Sequence, residues 1–148
     1  MKRLMNFVVL FLFISFSCLD LSANIMNVFP SREQVQQMLM SRSWYIIKGE
    51  GTGGPALAGG TFVFTSTHRD LSFDGRPIGK QRYKVLSTRP SKSGESYFFD
   101  LEIVNSDGGK TLFEECMVKP SGSIIIRRSG GTLMGTKLKD MYLEIVGR

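Results

Sequence analysis

The sequence predicts an all-β fold, an antiparallel up-and-down barrel of about eight strands with one short N-terminal helix. Short segments rich in Phe, Tyr, Ile and Val alternate with turn residues at intervals of about 8–12 residues, the spacing of sandwiches and barrels. No segment between these strands has helical periodicity, which excludes parallel crossovers. A meander of about eight strands closes most economically into a barrel, because closure leaves no exposed edge.

The clearest part of this pattern is the meander at 96–128, which contains three strands. Its turns at 105–109 and 119–122 supply the glycines and the proline that short hairpin loops require. In its second strand, strict alternation places either Glu114 or Glu115 on the apolar side of the sheet. A buried carboxylate needs a partner. We therefore expect Arg127 or Arg128 to pair with it.

One helix is predicted before the first strand. Residues 31–34 fit a capping box, and apolar residues at 35, 38 and 39 form a stripe on a helix that runs to about Arg42. We interpret this helix as a plug on the sheet. Strands are predicted at 43–48, 61–67, 71–73, 81–87, 97–104, 111–118, 123–128, 132–138 and 141–146, with loops at 49–60, 74–79 and 88–95.

Residues 1–23 have the features of a cleavable export signal. A positive start precedes the apolar run 7–16, which is shorter than the roughly 20 residues that a membrane-spanning helix needs. Cleavage after Ala23 leaves 24–148 as a single domain. In the alternative, Cys18 lies where a bacterial lipoprotein carries its lipid, and the chain is lipid-anchored. The expected location is therefore periplasmic or secreted.

The chain is basic, with 19 Lys and Arg against 13 Asp and Glu. Removing 1–23 takes away two bases and one acid and leaves 17 against 12, a net charge of +5. This excess favours an anionic envelope surface or an acidic protein partner, or it only keeps the surface solvated. Nucleic acid is not an expected partner outside the cell. Cys116 is predicted to be a buried hydrophobe.

Motifs for catalysis and cofactors are weak. Residues 49–54 match G-x-G-x-x-G, but a strand follows where dinucleotide sites need a helix, so we interpret 49–60 as a loop that covers the barrel mouth. His68 is the single histidine, and Asp70 shares its strand face, which suits a hydrogen-bonded pair. An enzyme using His68 or Glu114 is the least favoured class. We expect no cofactor and no metal.

The order of elements resembles the lipocalin and calycin group of small exported barrels. Trp44 opens the first strand after the helix, and Arg127 and Arg128 come near the end of the chain. Where that group has Gly-x-Trp, this chain has Arg42-Ser43-Trp44. The resemblance implies that Arg127 or Arg128 packs over Trp44 and closes one barrel end. It also implies a cavity for a small apolar ligand. The candidate lining residues are Phe62, Phe64, Tyr83, Tyr97, Phe99 and Leu101.

The loop at 93–97 carries a second resemblance. It is similar to the Ser-Gly-x-x-Tyr loop by which periplasmic inhibitors of C-type lysozyme enter the enzyme's cleft. That likeness implies a protein partner bound through Ser93, Gly94 and Tyr97. The favoured function is an exported, non-enzymatic binding protein for a small hydrophobic ligand, and the alternative is an envelope interaction or inhibitor protein.

Overall fold

The computed structural model describes residues 29–148 as a closed antiparallel barrel of eight strands with one short helix, which confirms the predicted fold class. The elements are α1 (Arg32–Met40), β1 (Ser43–Glu50), a 3₁₀ turn (Pro55–Leu57), β2 (Thr61–Phe64), β3 (His68–Phe73), β4 (Arg76–Pro90), β5 (Tyr97–Val104), β6 (Lys110–Val118), β7 (Ile124–Arg128), β8 (Thr132–Leu133), β9 (Thr136–Lys137) and β10 (Met141–Gly147). The predicted export signal and Cys18 lie outside the described residues.

The barrel is an up-and-down meander. Strands β1 to β7 follow one another around the wall, and β10 lies between β7 and β1 and closes it. The prediction of a wall strand at 132–138 is wrong, because β8 and β9 form a separate two-stranded hairpin. Met134 and Gly135 turn this hairpin with positive φ angles of 48° and 81°, as a tight two-residue turn requires.

Helix α1 closes one end of the barrel. The capping box forms as predicted, with the Gln34 N–H donating to Ser31 Oγ (3.3 Å) and the Ser31 N–H donating to Gln34 Oε1 (2.8 Å). Val35 and Leu39 are fully buried. Trp44 Nε1 donates to the Leu39 carbonyl at 2.8 Å, which fastens the end of the helix to β1. The helix ends at Met40 and not at Arg42.

Two boundaries differ from the predicted ones because polar residues turn the chain earlier. β2 ends at Phe64, and the Thr65 N–H donates to the His68 carbonyl (2.8 Å) in a turn before β3. The turn after β3 takes only Asp74 and Gly75, so 76–79 belongs to β4 and not to a loop. β4 tolerates Pro77 there, because this part of β4 pairs with β3 alone and needs no N–H on its other edge.

A β-bulge in β6 resolves the problem of the adjacent glutamates. The register of β5 with β6 shifts between Phe99 and Leu101, and Glu115 takes a positive φ of 56°. The extra residue lets both Glu114 and Glu115 face solvent, so the prediction that one of them is buried is wrong. Arg127 does donate to Glu115 Oε2 at 2.8 Å, but this pair lies on the outer surface and not at a buried carboxylate as predicted.

Candidate binding cavity

The half of the barrel next to α1 is filled by side chains. Five of the six predicted ligand-binding residues lie there and form packed core. The rings of Phe64 and Tyr83 pack edge to face with centroids 5.1 Å apart, and the Tyr83 hydroxyl donates to the Thr65 carbonyl (2.6 Å). Phe99 and Leu101 are fully buried. The Tyr97 hydroxyl points to Met38 Sδ at 3.2 Å. Tyr97 thereby joins this core to the helix.

The opposite half contains a cavity of about 290 Å³ that is partly open to solvent. Its volume is near the lower end of the range for small-molecule sites, about 300–1,000 Å³. Phe62 is the one predicted ligand-binding residue that lines it. The other lining residues are Gly53, Leu57, Arg69, Leu71, Gln81, Ile103, Asn105, Thr111, Phe113, Arg128, Met141 and Leu143. The walls are therefore mostly apolar, with a small polar group among them.

Arg69 and Arg128 are the charged members of that group, and Arg69 is 7% exposed. Its guanidinium lies 4.5 Å from the ring centroid of Phe62 and 5.7 Å from that of Phe113. Its Nη2 donates to Gln81 Oε1, and its Nε has no hydrogen-bond partner among residues 29–148. Burial lowers the pKa of Arg69 to about 10. The side chain still carries its charge at neutral pH.

Gln81 begins a chain of neutral polar side chains across three strands. Gln81 Nε2 donates to Asn105 Oδ1 at 2.8 Å, and Asn105 Nδ2 donates to Thr111 Oγ1 at 3.1 Å. Each amide is thereby oriented by the next residue, so Gln81 presents its carbonyl oxygen to Arg69. This series of hydrogen bonds orients the Arg69 guanidinium through its Nη2 but supplies no negative charge.

The glycine-rich loop lies at the mouth of this cavity, which agrees with its interpretation as a cover. Gly53 and Leu57 line the cavity. Arg128 Nη2 donates to the Thr52 carbonyl at 3.2 Å, so the loop is attached to the end of β7. At Gly54 an added Cβ would lie 2.2 Å from the Glu50 carbonyl oxygen. Close backbone packing therefore explains a glycine of the G-x-G-x-x-G match.

The prediction that Arg127 or Arg128 packs over Trp44 is wrong, because another arginine occupies that position. Arg42 lies over the Trp44 ring at 5.7 Å. Arg127 lies instead over Tyr142 and pairs with Asp140 (3.1 Å), and Arg128 reaches the loop.

The expected pair of His68 and Asp70 does not form. His68 Nδ1 lies 2.7 Å from Thr67 Oγ1, and Asp70 stands opposite Lys80 in the pairing of β3 with β4. Glu114 is exposed on the outer wall, away from the cavity. Within 29–148, no group of three or more His, Cys, Asp or Glu side chains could hold a metal ion.

The alternative interaction loop is divided between two environments. Ser93 and Gly94 are exposed in a turn closed by the bond from the Ser91 N–H to the Ser96 carbonyl (2.9 Å). Tyr97 is half-buried at the start of β5, with its hydroxyl on Met38. The three residues therefore do not form one projecting surface.

The sequence analysis did not identify Arg69, Gln81 and Asn105 as cavity residues, although the sequence contains a signal for them. Each of these polar residues stands two positions from an inward apolar residue and so shares its face of the strand. The pairs are Arg69 with Leu71, Gln81 with Tyr83, and Asn105 with Ile103. These inward polar positions cluster at the same barrel end. An inward polar residue on each of several neighbouring strands is the signal that would have found the site.

None of the helices in the part of the chain that the structure describes is long and apolar enough to cross a membrane. Comparisons with protein families, with curated proteins and with solved structures gave no match to this chain.

Proposed function

We propose that this chain is an exported, non-enzymatic binding protein that holds a small, largely apolar molecule in the open half of its barrel. The observation that carries the proposal is the cavity of about 290 Å³ beneath the glycine-rich loop. Export is part of the proposal and rests on the pattern of residues 1–23.

The packing of the two halves supports a binding role. The helix, Trp44 and the aromatic side chains near it already fill one half, and this half supplies the core that holds the fold. The other half keeps a cavity that the surrounding apolar side chains do not close. A partly open, mainly apolar concavity with a loop at its mouth suits a small ligand.

A homologous series of neutral alcohols tests this proposal. 1-Hexanol, 1-octanol and 1-decanol are titrated against the protein and their affinities are measured by ligand-detected NMR. Each buried CH₂ contributes about 0.8 kcal/mol. Affinity should therefore rise along the series until the chain exceeds the cavity and then level off or fall. A nonspecific surface would show no such limit.

A matched pair of variants locates the binding. Leu143→Trp places an indole in the cavity wall, and Leu112→Trp makes the same change at an exposed position of β6. We expect Leu143→Trp to lose alcohol binding and Leu112→Trp to keep it. Circular dichroism confirms folding of both, and Leu71→Trp at the cavity wall replaces Leu143→Trp if that variant is misfolded. Absence of alcohol binding to the unmodified protein would refute the proposal.

A further inference from the structure

We infer that the molecule held in the cavity carries a carboxylate and that Arg69 binds it, an inference that rests on the proposed function. The ligand class is then a short amphiphile with one negative headgroup and an apolar tail. Its headgroup meets Arg69, and its tail lies against Leu71, Ile103 and Leu143.

The first step is that Arg69 is a buried cation without an acidic partner. The ion pairs of residues 29–148 join other arginines and lysines to Asp and Glu, and none includes Arg69. Asp70 follows it in the chain but faces the opposite side of β3. Buried charges in proteins are normally paired, because removing an ion from water is costly. A negative ligand group would supply the missing partner.

The second step is that part of the guanidinium remains available for a ligand. Phe62 and Phe113 have their rings close to it, and Gln81 accepts from Nη2. Arg69 Nε has no hydrogen-bond partner among residues 29–148, but its neighbours shield it from the cavity. The N–H groups of Nη1, which donates to no residue of 29–148, are therefore the ones open to a ligand. A guanidinium offers its N–H groups in a planar fork that matches the two oxygens of a carboxylate.

The third step concerns the kind of anion. The cavity walls are mainly apolar, and the polar side chains beside Arg69 are the neutral Gln81, Asn105 and Thr111. A second cation, Arg128, lines the cavity but already donates to the Thr52 carbonyl of the loop. A free phosphate or another small polyanion would leave the apolar walls uncovered. A monocarboxylate with a hydrocarbon tail uses both the charge and the walls.

Three ligands with one tail and different headgroups test this inference at pH 7: octanoate, 1-octanol and octylamine. We expect octanoate to bind about 10- to 100-fold more tightly than 1-octanol, the gain for hydrogen bonds to a charged group. Octylamine should bind least, because its cation meets Arg69. Affinities are measured by the same ligand-detected NMR titration.

Two charge-matched variants assign the preference to Arg69. Arg69→Met should lose the preference and bind octanoate and 1-octanol equally. Arg82→Met removes the same charge from the exposed outer face of β4 and should keep the preference. Arg69→Lys retains the charge without the fork and should have an intermediate preference. Arg69→Lys and the unmodified protein carry the test if Arg69→Met does not fold.

The outcomes separate this inference from the proposed function. Equal binding of octanoate and 1-octanol by the unmodified protein overturns the carboxylate assignment and leaves the binding cavity standing. Persistence of the octanoate preference in Arg69→Met also overturns it, since another cation would then be responsible. Failure of the unmodified protein to bind any of the alcohols overturns the proposed function itself.

Discussion

Asp100, on β5, holds the β-bulge of β6 in place through hydrogen bonds to both neighbouring strands, β6 and β4. Its Oδ1 accepts from the Glu115 N–H at 2.8 Å, and its Oδ2 accepts from Ser87 Oγ at 2.7 Å and from Arg89 Nη1 at 3.1 Å. Asp100→Ala removes all of these bonds. Asp100→Asn keeps one acceptor oxygen and loses the charge.

The expected cost follows from these contacts. Hydrogen bonds to a charged group contribute about 1.5–3 kcal/mol when buried. The Asp100 side chain is 22% exposed, whereas that of Arg89 is 40% exposed, and an ion pair so open to solvent contributes less than about 1 kcal/mol. We therefore expect Asp100→Ala to lower the free energy of unfolding by about 2–3 kcal/mol, mainly through the Glu115 N–H. Asp100→Asn should cost about half as much.

The pH dependence of this difference has a definite sign. Burial acts to raise the pKa of Asp100, but the Glu115 N–H, Ser87 and Arg89 together hold it below its ordinary value. A depressed pKa means that the stabilisation is complete above the pKa of the unfolded chain, about 3.9. It is lost as the pH falls through the lower pKa of the folded protein. The difference between the original protein and Asp100→Asn should therefore be constant from pH 7 to about 5 and shrink below 4.

Urea unfolding at pH 7, 5, 4 and 3 measures the effect, with the m-value checked for constancy. Glu102→Gln is the matched control, because Glu102 lies two residues along the same face of β5. It pairs only with the exposed Lys110, at 3.2 Å, so we expect a change within about 0.5 kcal/mol. Asp100→Asn with unchanged stability at pH 7, or with a deficit that persists undiminished at pH 3, would refute this account of the bulge.

Two further outcomes follow from burial and from backbone geometry. Burial raises the pKa of the Cys116 thiol to about 12, so iodoacetamide at pH 8 should leave Cys116 unmodified in the folded protein and alkylate it in urea. Peptide mapping by mass spectrometry measures this, and stoichiometric labelling of the folded protein would contradict it. Gly75 has a φ of 74° in the hairpin turn, and Gly75→Ala should lose about 1 kcal/mol in urea unfolding. Gly79→Ala, whose added Cβ would meet nothing within 4 Å, should be neutral or slightly stabilising, and equal losses in both variants would contradict the argument.

The architecture was predictable from local signals, and the exceptions have local causes. Alternation and turn residues indicated the barrel, and Ser31 with Gln34 indicated the helix start. The strand prediction failed where a bulge or a turn interrupts the inward and outward alternation of side chains. The positive φ of Glu115 moves both glutamates outward, and the hairpin turn at Met134 takes 132–138 out of the wall. Periodicity shows which residues share a face only while the register is unbroken.

The binding site could be predicted only in part, because alternation says that a side chain points inward and not how much room it finds. Phe64, Tyr83 and Phe99 point inward, as predicted, yet they belong to a packed core that includes Val35 and Leu39 of the helix, whose position the pattern does not give. No residue of α1 lines the cavity. A sequence that places aromatic residues inward therefore indicates the core of a barrel more reliably than its ligand site. The inward position that bears on binding is Arg69, where a charge is kept although an apolar residue would fill the same space at less cost.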